Sequence, residues 1–174
     1  MSTLLQGLYS YQAWANDDLL DKLGTLDQEQ HRAEFHTALR LINHDYVVAQ
    51  IFAAHLTGAP HGYSSDNTDE TPSLGVLRAA VAASDQWYLD YLRGASPEDL
   101  AETIPFAFTD GDKGYMTREE ILTHVVLHAG YHRGEVGRIL SQLSVRPPWD
   151  TFAVYVHQTE PWRRLQRERQ AIPA

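Results

Sequence analysis

Cysteine is absent from this 174-residue chain. Disulfide scaffolds, cysteine-ligated zinc sites and thiolate nucleophiles are excluded at once, so any thiol chemistry needs a thiol brought by a cosubstrate. Long apolar runs are missing too: no stretch approaches the roughly 20 residues needed to cross a bilayer, and no membrane partner is expected. Positive charge is scarce, with 14 Lys+Arg against 23 Asp+Glu and a formal net charge of −9. That field repels phosphate backbones and argues against nucleic acid as a partner. The basic residues that gather in "WRRLQRERQ" have acidic and amide groups between them, the pattern of a solvated helix face. The opening "MSTLLQGLYSYQAW" has no basic leader and passes directly into helical periodicity, so no signal peptide is expected and the cytoplasm is the expected compartment.

A hydrophobic content of 43% and a charged content of 21% are those of one ordinary globular domain. Apolar residues at Leu4, Leu5, Leu8, Tyr11, Ala15, Leu19 and Leu23 recur every three or four positions, which predicts an amphipathic helix over 3–23 stopped at Gly24. A second helix should run from about Arg32 to Leu56, ending before Gly58. "TGAPHGYSSDNTDETP" reads as a long connection. Thr71-Pro72 marks the start of a third helix that ends near Gly94. In "IPFAFTDGDKGYMT" the Asp-Gly pair between apolar flanks signals a hairpin, with Pro105 restricting any strand to an edge. Thr117 with Glu120 three residues on is a capping box opening a fourth helix, which continues to Leu143 before Pro147-Pro148. "WDTFAVYVH" should cover one end. Four long helices without central strands define an all-α, four-helix-bundle class with long inter-helix connections.

The fourth helix carries His124, His128 and His132 inside an apolar seam of Ile121, Val125, Val136, Ile139 and Leu143. His128 and His132 occupy the gap where Leu or Ile would be expected. Histidines at i and i+4 share a helix face and can share a metal ion. All three cannot, because His124 and His132 lie roughly 12 Å apart along the axis while Zn–N bonds are about 2.0–2.1 Å. Periodicity alone leaves open which pair would bind. A third ligand must come from elsewhere, and His44 in "LINHDYVVAQI" lies on the apolar face with Leu41, Val48 and Ile51. A buried imidazole without a partner costs on the order of 1–3 kcal/mol, and a shared divalent ion would satisfy several. The plainer alternative is that these are ordinary hydrogen-bonded core histidines. That reading is kept for His31, His36, His55, His61 and His157, with His55 the nearest exception because it shares a face with His44.

These segments together resemble the DinB/YfiT-like family. "YSYQAWAND" is similar to its opening helix motif through Tyr11, Trp14 and Asn16, and "INHDYVVAQI" to the segment bearing a single histidine ligand. "HVVLHAGYHRGEVGRIL" resembles the family's HxxxH segment running into His-Arg-Gly-Glu, and "PPWDTFAVYV" its closing segment. The resemblance implies a four-helix bundle over residues 1–157 and one divalent transition metal held by His44, His128 and His132, with His124 outside the ligand set. Residues 158–174 look like a C-terminal extension, and the acidic loop at 61–72 looks particular to this chain.

Three neutral imidazoles leave an open coordination position, the form of a catalytic site. Imidazole suits zinc or nickel, with iron or manganese as further candidates. The resemblance implies a thiol S-transferase or thiol-dependent isomerase, whose partners would be a low-molecular-weight thiol and an electrophilic substrate. Arg133 is a candidate carboxylate anchor or a solvent-facing residue. A small metal-dependent hydrolase is the second reading, with Asp45 and Glu135 as candidate bases unless both face solvent. A non-enzymatic metal-binding stress protein is the third, with Trp87, Tyr88 and Tyr91 as a partner surface or as core. The family's habit implies a homodimer.

Overall fold

The structure is a computed structural model, and it describes residues 3–164. Six helices and one hairpin follow in order: α1 (Thr3–Gly24), α2 (Arg32–Thr57), α3 (Leu74–Gly94), α4 (Pro97–Ala101), β1 (Thr103–Ala107), β2 (Lys113–Thr117), α5 (Arg118–Gln142) and α6 (Phe152–Thr159), with a 3₁₀ turn at Pro161–Arg163. The long helices α1, α2, α3 and α5 form the four-helix bundle expected from the periodicity. Among the described residues no helix is long and apolar enough to cross a membrane. Of residues 158–174, expected as an extension, 165–174 lie outside the described residues.

The core is two apolar clusters stacked along the bundle. One holds Leu5 and Tyr9 of α1, Phe52 and Leu56 of α2, Tyr88 and Leu92 of α3, and Ile121 to Val126 of α5. The other joins Leu19 to Leu23 of α1, Phe35 to Ile42 of α2, Leu77 and Val81 of α3, and Val136 and Leu140 of α5. The start of α1 and of α5 therefore share an end with the finish of α2 and of α3. The directions are up, down, down, up rather than alternating. Parallel α2 and α3 require a crossover that travels back along the bundle, which is the physical reason for the long connection 58–73. At about 1.5 Å per residue α2 spans roughly 39 Å, a distance that a 16-residue segment can cover at about 3.3–3.6 Å per residue. The crossover thus has to pass the middle of the bundle.

Local chemistry sets the ends. Gly58 closes α2 in the left-handed region at φ 67°. The start of α3 lies two residues beyond the expected Thr71-Pro72, because the Ser73 side chain accepts a hydrogen bond from the Val76 amide and takes the cap position. Thr117 and Glu120 form the predicted capping box. Ser96 and Asp99 form a second one, which opens the short α4 that the sequence reading passed over. The hairpin is antiparallel, pairing Thr103 with Thr117 and Phe106 with Gly114. A Cβ at Gly114 would meet the Phe106 ring at 2.9 Å, so a side chain there would have to push that ring aside. As a two-stranded ribbon it has only edges, which is where Pro105 is tolerated.

Segment 149–157 does not close an end of the bundle. Its helix α6 lies along the flank of α1, with Tyr155 against Tyr11 and Trp14 at ring centroids of 6.0 and 5.7 Å. Tyr88 is fully buried, and the half-buried Trp87 and Tyr91 pack against the same core cluster.

Candidate metal centre

Buried polar groups sit at mid-height between the two apolar clusters: Gln12, Asn16, Asn43, Ser84, Asp85 and Arg133. Polar groups at this depth need partners. Asp85 accepts hydrogen bonds from Gln12 and Asn16 at 2.9 Å each. Desolvation by burial pushes its carboxyl up to about 6, against the lowering effect of the two amides and of Arg133. Arg133 is 5% exposed and donates from Nε to Asp150 Oδ2 at 2.8 Å and from Nη1 to the Asn16 amide oxygen at 3.3 Å. The Tyr11 hydroxyl donates to the same Asp150. Arg133 is therefore neither a solvent-facing residue nor a free anchor for a substrate carboxylate. It ties α5 to the segment that leads into α6.

Beside this layer, α2 and α5 pack directly and bring three imidazoles together. His44 Nε2 lies 3.2 Å from His128 Nε2, which lies 3.2 Å from His132 Nε2. One nitrogen from each of the three rings falls within 4.8 Å of the others. Each opposite ring nitrogen is already engaged. His44 Nδ1 donates to the Asp66 carbonyl at 2.8 Å, His128 Nδ1 to Asp45 Oδ1 at 3.1 Å, and His132 Nδ1 to Glu135 Oε2 at 2.7 Å. A carbonyl and two ionised carboxylates can only accept. The protons are consequently on Nδ1, and three Nε2 lone pairs converge on one point.

Convergent lone pairs repel unless a cation lies between them. A tetrahedral ion with Zn–N bonds of about 2.1 Å holds its nitrogens roughly 3.4 Å apart, close to the 3.2 Å spacings found. The donor set therefore fits a divalent transition metal. Burial lowers the pKa of His132, an effect that His128 and His44 reinforce and Glu135 opposes.

The crossover completes the arrangement. Asn43 Nδ2 donates to Thr68 Oγ1 at 2.6 Å and also to Asn67, while Arg40 donates to the Thr68 carbonyl. These bonds pin the loop to α2 and set the Asp66 carbonyl over His44. Asp66 was not among the residues singled out from sequence, and no local signal marks it, since it acts through its backbone. Asp45 and Glu135 were read as bases or as solvent-facing residues. Both instead brace rings of the triad, Asp45 that of His128 and Glu135 that of His132, with side chains 17% and 40% exposed. Glu135 was findable, because i, i+3 neighbours share a helix face.

His124 stays to one side, its ring 4.8 Å from Phe52 and 5.6 Å from His128 between centroids. His55 Nε2 meets the Ala107 carbonyl at 3.0 Å, so it belongs to the hairpin contact. A cavity of about 270 Å³ between α2, α5 and the hairpin reaches His44 and His128. A larger groove of about 720 Å³ lies against α1, α5 and residues 146–151, on the side of Arg133 away from the triad.

Fold and site define a helical bundle with an inward cluster of three histidines braced by carboxylates and one carbonyl. The profile of the DinB family matches residues 1–169, and the chain belongs to that family. It is similar to the protein named Protein DinB of Bacillus subtilis (strain 168), at 25% identity over 175 residues that cover 92% of this chain and 98% of that one.

Proposed function

We propose that His44, His128 and His132 bind one divalent transition metal, zinc or nickel before iron or manganese, and that the protein is a transferase of low-molecular-weight thiols or a thiol-dependent isomerase. The observation that carries the metal is the convergence of three Nε2 lone pairs, each ring locked from behind at Nδ1. The unit that does this is the bundle of residues 1–157, with 158–174 as an extension. A bound metal supplies Lewis acidity and holds a coordinating thiol as thiolate at neutral pH. With no cysteine in the chain, that thiol comes from a cosubstrate. Asp45, Glu135 and the Asp66 carbonyl keep the rings aimed. Phe52 and Phe108 give the adjoining cavity apolar walls that limit water near the reacting atoms.

Metal-loaded protein is incubated with glutathione, mycothiol or bacillithiol and monobromobimane. Conjugation above the uncatalysed rate, lost in His132→Ala, is the expected result. No acceleration with any thiol would remove the transferase reading. Turnover of ester, amide or lactone panels without thiol would replace the nucleophile by water.

A further inference from the structure

The cavity beside the triad has a composition that narrows what can enter it. Val48, Ile51, Phe52, Ala107 and Phe108 make its walls apolar. Neither Lys nor Arg lines it, and the two charged residues that do, Asp66 and Asp110, are both acidic and exposed. In a chain of net charge −9 no protein side chain there offsets the cost of admitting an anion, and any positive charge would come only from a metal held at the triad end. His124 also lines it, and no hydrogen-bond partner within the protein is found for this ring among the described residues. A half-buried imidazole among apolar walls with no protein partner is a group for a ligand to use.

We propose that this cavity is the subsite for a small uncharged molecule with an apolar, ring-sized body and one carbonyl or hydroxyl oxygen, and that His124 is the residue that hydrogen-bonds that oxygen. The inference rests on the triad being the reaction centre. The cavity, at about 270 Å³, matches a molecule at the small end of the ligand range. It also carries a ruler. His124 precedes His128 by one turn, and their ring centroids are 5.6 Å apart. The anchored oxygen and the atom presented to the triad are therefore separated by about one helical turn, ~6 Å, the span of a substituted six-membered ring. His124 is thus a specificity-determining residue, which selects by pairing with the ligand rather than by shape alone.

Three matched probes test this on metal-loaded full-length protein by ligand-observed NMR titration: acetophenone, ethylbenzene and benzenesulfonate. Acetophenone is expected to bind roughly three- to tenfold tighter than ethylbenzene, the size of one net hydrogen bond, and benzenesulfonate weaker than either. His124→Leu should erase the acetophenone preference, while His124→Gln, which keeps a donor, should retain most of it. A merely structural role for His124 would weaken both uncharged probes together and leave their ratio unchanged. Asp66→Asn with Asp110→Asn should narrow the gap to benzenesulfonate. A preference that survives His124→Leu, equal binding of the sulfonate, or no binding of any probe at its solubility limit would overturn the subsite. Metal content is read on the same samples. Metal binding without the probe pattern sinks the subsite alone, and the probe pattern without metal sinks the metal reading alone.

Discussion

Replacing Asp45 by asparagine changes one oxygen into an amide nitrogen and tests how the His128 ring is held. The Asp45 carboxylate can only accept, and its Oδ1 sits 3.1 Å from His128 Nδ1, which keeps the proton there and the lone pair on Nε2. Asparagine offers an N–H at the same place. It allows the opposite tautomer, in which an Nε2 proton points into the centre of the triad. Partners of this kind are worth about 10–100-fold in metal affinity, or roughly 1.4–2.7 kcal/mol. Zinc affinity measured by competition with a chromophoric chelator should fall by that factor in Asp45→Asn, and at least as far in Asp45→Ala, with the helical circular dichroism unchanged. Asp66→Ala is the internal contrast. His44 is held by the Asp66 backbone carbonyl at 2.8 Å, which alanine keeps, and the carboxylate is only at 3.6 Å. Its effect should be under about threefold, the size of a weak, partly exposed charge contact. Equal affinities for wild type, Asp45→Asn and Asp45→Ala would refute the reasoning from tautomer locking.

Two further outcomes concern the polar layer. Arg133→Met strands Asp150 and Asn16, and loss of a buried partner of this kind costs about 3–5 kcal/mol; with Asp150 a quarter exposed the low end applies, a fall in Tm of roughly 6–12 °C by thermal scan. Zinc content should not change, and a drop in Tm of under 2 °C, on the order of half a kcal/mol, would show that the pair does not hold the closing segment. Asp85 sets a pH dependence whose sign follows from its carboxyl being pushed up to about 6 in the folded chain. The group binds its proton more tightly folded than unfolded, so its contribution is fully present below about pH 4 and is lost as pH rises through about 6. Across that window urea unfolding should show wild type losing roughly 3 kcal/mol relative to Asp85→Asn. A pH-independent difference between the two would contradict the assignment.

The bundle was legible because helix periodicity, caps and breakers act locally. The apolar spacing in 3–23, the Thr117–Glu120 box and Gly58 each mark an end that the structure keeps to within a residue or two. What stayed hidden depends on direction and depth. Nothing local says that α2 and α3 run parallel, so nothing predicts that the crossover must pass His44 and present the Asp66 carbonyl to it. Arg133 carries a charge and follows a ligand candidate, so sequence favoured a substrate anchor or solvent. Its burial becomes intelligible only once Asp150 and Asn16 arrive from distant segments. The histidines stood out for the opposite reason, since polar rings in an apolar seam at i, i+4 spacing are a local anomaly visible without the fold.

Metal content by plasma mass spectrometry, on tag-free protein and on His128→Ala, bears most directly on the central claim. About one divalent ion per chain in the wild type, absent from His128→Ala while the variant stays helical, is the expected result. A purified protein without metal that also fails to bind added zinc, nickel, manganese or iron would contradict it and return His44, His128 and His132 to core packing.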